Sequence, residues 1–228
     1  MFEFVSIVNK LSHGTKQLWT RAHARGFSEV AELTKSRIKE EIRSGDTLLF
    51  LVKTAEPTSW SADGLRFRQA EAEDGERYAR DIGTDSASTF RDRLTAETRC
   101  FLVEDDDRIL HSSWVSTGPS WAREIRAHLV PPPGDAYVYE SFTRADARGR
   151  GIYPFALANI VTRLSAEGTR RVWIAVEEDN APSRRAIDKV GFQFAFAITY
   201  RRRLGRFAMD EPRGPQAEIG KEFVRRRR

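Results

Sequence analysis

Two glycines and three arginines crowd into one short stretch, TRADARGRGIYPFAL, residues 143–157. It joins a strand-like run to a helix-like run. A glycine-rich turn into a helix leaves several backbone N–H groups without intrahelical partners, aimed at one spot beside the positive end of the helix dipole. That spot suits a phosphate or pyrophosphate. Gly149 and Gly151 let the backbone approach closely because no Cβ intervenes, and Arg148 and Arg150 add positive charge. Taken alone, the turn also fits an ordinary solvated basic loop.

A second chemical signal lies about thirty residues on, in AVEEDNAPSRRAIDKVGFQ, residues 175–193. A strand ends there, Asn180 and Ser183 open a helix, and Gly191-Phe192 closes it. Asn180 as N-cap and Gly191 past the C-terminus account for these residues structurally. The pairing of the two signals at this distance says more than either alone.

The strand before the basic turn, AYVYESFT (136–143), carries the acid–base candidates. Alternation places Tyr137, Tyr139 and Ser141 on one face and Val138, Glu140 and Phe142 on the other, so both sets reach one substrate only if a bulge intervenes. Glu140 among apolar neighbours is costly unless function or an ion pair holds it. It is a candidate base or amine anchor, or the partner of a helix arginine. Tyr137 and Tyr139 are candidates for an acid or a site wall, or core tyrosines with wet hydroxyls. His111 is a further base candidate. Cys100 has no neighbouring histidine in sequence to activate it. The four histidines are scattered, no Cys/His pair has metal-ligand spacing, and Asp105-Asp106-Asp107 reads as a turn. No metal is expected.

The paired signals resemble the GCN5-related N-acetyltransferase superfamily. Arg148-Gly149-Arg150-Gly151-Ile152-Tyr153 resembles its pyrophosphate loop, and Asn180 with Gly191-Phe192 resembles its later helix motif. The resemblance is specific over 136–193 and extends by element order from 65 to about 203. It implies acyl transfer from acetyl-CoA, or another acyl-CoA, to the primary amine of a small molecule. It also implies a cofactor site from Phe142, Thr143, Arg144, Arg148, Gly149, Arg150, Gly151, Ile152, Tyr153, Asn180 and Ser183, with the acyl group between splayed parallel strands 136–143 and 171–177. Two positions depart from the family pattern. Tyr153 stands where a Gly or Ala is usual, and Ile187 stands where many members carry a proton-donating tyrosine. Alternatives are transfer of a longer acyl chain from an acyl carrier protein, a protein or peptide N-terminal acetyltransferase, and a non-catalytic acyl-CoA-binding regulatory module.

The elements that must position these residues follow from periodicity. Residues 1–44 read as helical, DTLLFLVKT (46–54) as a strand, and 55–64 as a polar linker. LRFRQA reads as a strand, 71–83 and 86–97 as helices, and RCFLVEDD and RILHSSWVS as strands. Residues 116–135 read as a proline-rich loop with at most a helical turn, serving as substrate wall or lid. Strand 136–143, helix 152–168, strand RVWIAVEE, helix APSRRAIDKV and strand FQFAFAITYRRR complete the order. The expected fold is α/β (α+β mixed): a central, mostly antiparallel mixed sheet with splayed parallel strands, flanked by helices, plus a helical N-terminal extension. The expected division is 1–64 as extension with one added strand, 65–205 as acyltransferase domain, and 206–228 as a basic, disordered tail. The added strand would cover a sheet edge or form a homodimer surface.

Composition sets outer limits. The chain has 228 residues, 40% hydrophobic and 31% charged, as expected of a globular protein. No apolar run reaches membrane-spanning length. A single cysteine and no secretory pattern at the N-terminus point to a cytoplasmic address. The net charge of +5 is concentrated: residues 199–228 carry ten basic and four acidic side chains, which leaves the remainder at −1. A nucleic-acid role ranks below the others, because the basic tail shows no regular interleaving of aromatic with basic residues.

Overall fold

A computed structural model describes residues 45–225 except Ser59, Asp63, Asp107, Leu204 and Gly205. The helices expected within residues 1–44 lie outside the described residues.

Eleven strands and five α-helices follow one another along the described chain. The strands are β1 (Asp46–Thr54), β2 (Arg66–Gln69), β3 (Thr98–Asp105), β4 (Arg108–Ser116), β5 (Ser120–Ala122), β6 (Ala127–Leu129), β7 (Ala136–Thr143), β8 (Arg171–Glu177), β9 (Gln193–Arg203), β10 (Arg206–Met209) and β11 (Val224–Arg225). The helices are α1 (Gly75–Asp81), α2 (Ala87–Arg93), α3 (Ile152–Ala166), α4 (Ala181–Lys189) and α5 (Ala217–Phe223).

Eight strands form one sheet in the order β10-β9-β1-β8-β7-β4-β3-β2. Every pair is antiparallel except β7 and β8. β1 is therefore no edge strand: it lies in the interior between β8 and β9. It earns that place by composition, since its apolar run Leu48–Val52 supplies side chains to the cores on both faces.

The parallel pair sets the architecture of the site. β7 and β8 are in register only at Ala136–Val172, Tyr137–Trp173 and Val138–Ile174, and then part. Asp135, buried just before β7, pins the paired end. Its Oδ2 accepts from Trp173 Nε1 at 2.8 Å and from Arg171 Nε at 2.9 Å. On one face, α3 and α4 pack Leu157, Ile160, Val161, Leu164, Ile187 and Val190 against Val138, Val172 and Ile174. On the other, Tyr78 of α1 and Phe90 of α2 cover Trp114 and Leu102.

Three expectations need correction. Residues 116–135 are not merely loop, because β5 and β6 form a hairpin joined by β11 into a second sheet. Three-residue strands amid glycine and proline are too short to show a period. The helix expected over 71–83 begins as a 3-10 turn, Ala72–Asp74, before α1. The tail expected to be disordered is folded in its described part: β10 pairs with β9, and α5 follows. Phe223 is fully buried among Phe50, Tyr137, Trp173 and Phe196. Its aromatic contacts outweigh the charge that made the segment look solvated.

Candidate active site

The basic turn leads from β7 to α3. Arg144, just past the strand, caps a 3-10 turn over Ala145–Ala147, and Gly151 caps α3 with φ 73°. Gly149 has φ 82°, and a Cβ at either glycine would meet no atom within 4 Å. Both glycines are thus required by conformation, and the space beside them is open to a ligand. Asn180 caps α4, its side chain accepting from the Ser183 amide at 3.2 Å.

A cleft of about 580 Å³ lies between these two helix starts. Phe142, Thr143, Arg148, Gly149, Gly151, Ile152, Tyr153, Asn180 and Ser183 all line it. Its charged lining is wholly basic: Arg148, Arg185 and Lys189. Sequence reading missed the last two, although their i,i+4 spacing on a capped helix puts both on one face. Arg144 and Arg150 do not line the cleft. The Arg144 amide donates to Leu110 O at 2.9 Å, and its Nη1 reaches Asp81 O at the end of α1 at 2.8 Å. Arg150 turns toward Asp105 at 3.4 Å.

A second cleft, of about 270 Å³, opens where β7 and β8 part, beneath the β5–β6 hairpin. Tyr137, Tyr139 and Glu140 line it together, and a β-bulge makes this possible. On β4, Ser112 pairs with Phe142 and Trp114 with Tyr139, so Glu140 and Ser141 together oppose Ser113. Glu140 takes φ 46°, an unusual value for a side chain of its kind. The extra residue shifts Phe142 to the side of Tyr139, where both pack on the α1–α2 core.

Glu140 is paired: its Oε2 lies 2.7 Å from Arg93 Nη2 at the end of α2. Tyr137 and Tyr139 stack in parallel, 5.7 Å between centroids. Burial pushes the Tyr137 hydroxyl well above its ordinary pKa. Burial also raises Tyr139, with a hydrogen bond from Arg93 opposing. Glu124 and Glu177 add acidic lining, against one basic residue, Arg123. Beside Glu177, carboxylate oxygens of Asp46, Glu177 and Asp179 come within 4.8 Å of one another. Cys100 is buried, which pushes its thiol pKa up, and lines neither cleft.

The clefts meet at Ser141, Tyr153, Asn180 and Ser183, which line both. A chain of polar groups runs beneath this junction. Thr143 Oγ1 lies 2.7 Å from His111 Nδ1, His111 Nε2 lies 2.8 Å from Ser113 Oγ, and Ser113 Oγ lies 2.7 Å from Ser141 Oγ. Ser141, at the end of this line, and Tyr153 both face the junction. His111 is fully buried, which lowers its pKa to about 3 and keeps the ring neutral. Ile187 is also fully buried and lines neither cleft.

The family model described as acetyltransferase (GNAT) family matches residues 65–192, more than half the chain. The chain belongs to the GNAT acetyltransferase family. No curated protein matches this GNAT chain. Among solved structures it is similar to a Drosophila protein at 9% identity (85% of this chain, 60% of that one, TM-score 0.48). It is similar to a GCN5-related N-acetyltransferase from Sphaerobacter thermophilus at 16% (76% and 55%, TM-score 0.49). A GNAT acetyltransferase from Colwellia psychrerythraea follows at 15% (68% and 55%, TM-score 0.48). The chain thus spans under two thirds of the length of each. The mixed sheet with its parting parallel strands is the GNAT fold expected from the sequence.

Proposed function

We propose that this GNAT-family protein moves an acyl group, acetyl in the first instance, from coenzyme A to the primary amine of a small molecule, by direct attack on the thioester. The observation that carries this reading is the opposite charge of two clefts that share one junction. The first cleft has three basic side chains and two glycines at the start of α3, which suits the pyrophosphate of an acyl-CoA. The second is lined by three glutamates and one arginine, which favours a cationic or amine-bearing acceptor.

The residues have distinct tasks in this reading. The β8-facing edge of β7 beyond Val138, released by the parting of the strands, offers backbone groups to the pantetheine arm. It also offers N–H donors to the thioester oxygen as charge develops there. Tyr137, Tyr139 and Trp121 wall the acceptor cleft. Glu140, held by Arg93, anchors the amine end of the acceptor rather than removing its proton, and the attacking amine loses that proton to water in the open cleft.

Buried Ile187 favours one second reading, a non-catalytic acyl-CoA-binding module, since the tyrosine many relatives use is absent there. An assay of thiol release from acetyl-CoA with a panel of amines, beside calorimetric titration of CoA into wild type and Gly151→Trp, separates the two. Catalysis predicts binding by wild type, loss of binding in Gly151→Trp, and thiol release with at least one amine. Binding with no release from acetyl-CoA, longer acyl-CoAs or acyl carrier protein thioesters would favour the module. Absence of binding in wild type would end both readings.

A further inference from the structure

A proton donor to the sulfur has to come from what lines the junction of the clefts. Ile187 cannot serve. Of the four residues lining both clefts, Asn180 is committed to capping α4, and Ser141 and Ser183 are aliphatic alcohols, far weaker acids than a phenol. Tyr153 is the remaining group. Its ring stacks on His111, 5.4 Å between centroids, so the side chain lies under the junction and does not swing into solvent.

We propose that Tyr153 is the catalytic acid of this protein, giving its phenolic proton to the departing thiolate, and that Ser141, Ser113, His111 and Thr143 form the line that returns a proton to it. The proposal rests on the acyl-transfer reading above.

One orientation of hydrogens satisfies every measured contact. The Thr143 hydroxyl donates to His111 Nδ1, His111 Nε2–H to Ser113, and the Ser113 hydroxyl to Ser141, which leaves the Ser141 hydroxyl to donate to Tyr153 across the junction that both line. That leaves the Tyr153 O–H as the one proton in the line with no acceptor inside it, free to point at a ligand. In the transfer, the amine nitrogen bonds to the carbonyl carbon and the C–S bond breaks with its electron pair on sulfur. The phenol proton moves to sulfur. Each member of the line then passes one proton toward Tyr153, and Thr143, which lines the CoA cleft, takes its replacement from water. The amine's proton leaves to water, so charge and atoms balance. Burial pushes the Tyr153 hydroxyl up to about 12, which keeps the proton in place at every working pH. Neutral His111 lets the line conduct without trapping a charge.

The test reads the binary complex before turnover. CoA with a free thiol is titrated with pH on wild type and Tyr153→Phe, following thiolate absorbance. A phenol donating to sulfur lowers the bound thiol's pKa, so wild type is expected about one unit or more below Tyr153→Phe. CoA affinity should change little. Turnover of acetyl-CoA with a competent amine should fall about 10²–10³-fold in Tyr153→Phe. The loss should shrink toward parity with an S-acetyl aryl thiol, whose leaving group needs no acid. Ser113→Ala, which cuts the line away from either cleft lining, should lose about tenfold and retain CoA binding. Equal thiol pKa values in wild type and Tyr153→Phe, or equal losses with both thioesters, would overturn the proposal. Failure of wild type to bind CoA would instead overturn the reading on which it rests.

Discussion

Arg93 joins Glu140 to the core: its Nη2 is 2.7 Å from Glu140 Oε2, and its guanidinium carbon lies 3.9 Å from the Trp114 ring centroid. It also holds Asp85 at 2.5 Å. The bulged residue of β7 is thus tied to the end of α2 through a cation stacked on an indole. Glu140 therefore acts first as a positioned carboxylate. Glu140→Gln should keep kcat within about fivefold, where loss of a true general base costs about 10²–10⁴. KM for a cationic acceptor should rise instead. A steady-state split of kcat and KM decides between the two.

Gly151 tests the cofactor cleft without disturbing packing. Its positive φ makes Gly151→Ala strained by about 1–2 kcal/mol, although the added Cβ meets no protein atom. The new methyl stands where a phosphate would approach. CoA affinity should fall at least about tenfold, with the melting temperature only a few degrees lower. Calorimetry and thermal unfolding check both halves.

His111 gives stability a pH dependence near neutrality. Its native pKa, lowered by burial to about 3, lies below the unfolded value. The unfolded chain therefore binds a proton the native chain refuses, and this contribution to stability is lost as pH falls below about 6.5. The slope approaches 1.4 kcal/mol per pH unit between about 6 and 4. Denaturant midpoints across this range should show that slope in wild type and not in His111→Gln.

A second acid-sensitive element lies at the far edge of the sheet. Glu104 is fully buried, with Arg68 at 2.6 Å and Arg77 at 3.2 Å, and Arg68 also binds Asp74 at 2.6 Å. Burial alone would raise both carboxyls, but hydrogen bonds from Arg68 bring them below their ordinary values. Depressed carboxylates stabilise above their unfolded pKa, so this stability is lost as pH falls below about 4. Arg68→Met should cost about 3–5 kcal/mol at pH 7, because it strips a buried charge of its main partner.

Phe223 predicts the outcome of trimming the C-terminal segment. Phe223→Ala should cost about 3–5 kcal/mol, since it opens a cavity between the main sheet and the β5–β6–β11 sheet. A chain ending at residue 205 should lose at least as much, together with the order of the acceptor cleft, which β5 helps to line. Urea unfolding of both variants tests this.

The parts of this fold legible in the sequence are those with a full period or a cap. α3 showed its apolar face, α4 its Asn180 cap, and β3, β4, β7 and β8 their apolar runs. The glycines at 149 and 151 marked the cofactor cleft because only a special backbone needs them. The bulge at Glu140 was illegible, since it arises from how β7 pairs with β4 and not from β7 itself. Strict alternation separated Glu140 from the tyrosines, and the bulge brings them together. The polar line through His111 was hidden for the same reason: its members come from two strands, and each reads alone as a common buried polar residue. The folded tail was masked by charge, because one anchoring Phe223 counts for little in a composition and for much in a core.

The interior place of β1 has a consequence for how the protein is made. Residues 46–54 leave the ribosome well before both neighbours, since β8 and β9 lie more than a hundred residues later. Until then this apolar strand has two open edges and no partner, the condition in which strands pair with the wrong chain. Contacts this distant in sequence close slowly. Assembly is therefore expected to end with β1 sliding into a slot framed by two strands made long after it, and refolding yield should depend steeply on protein concentration.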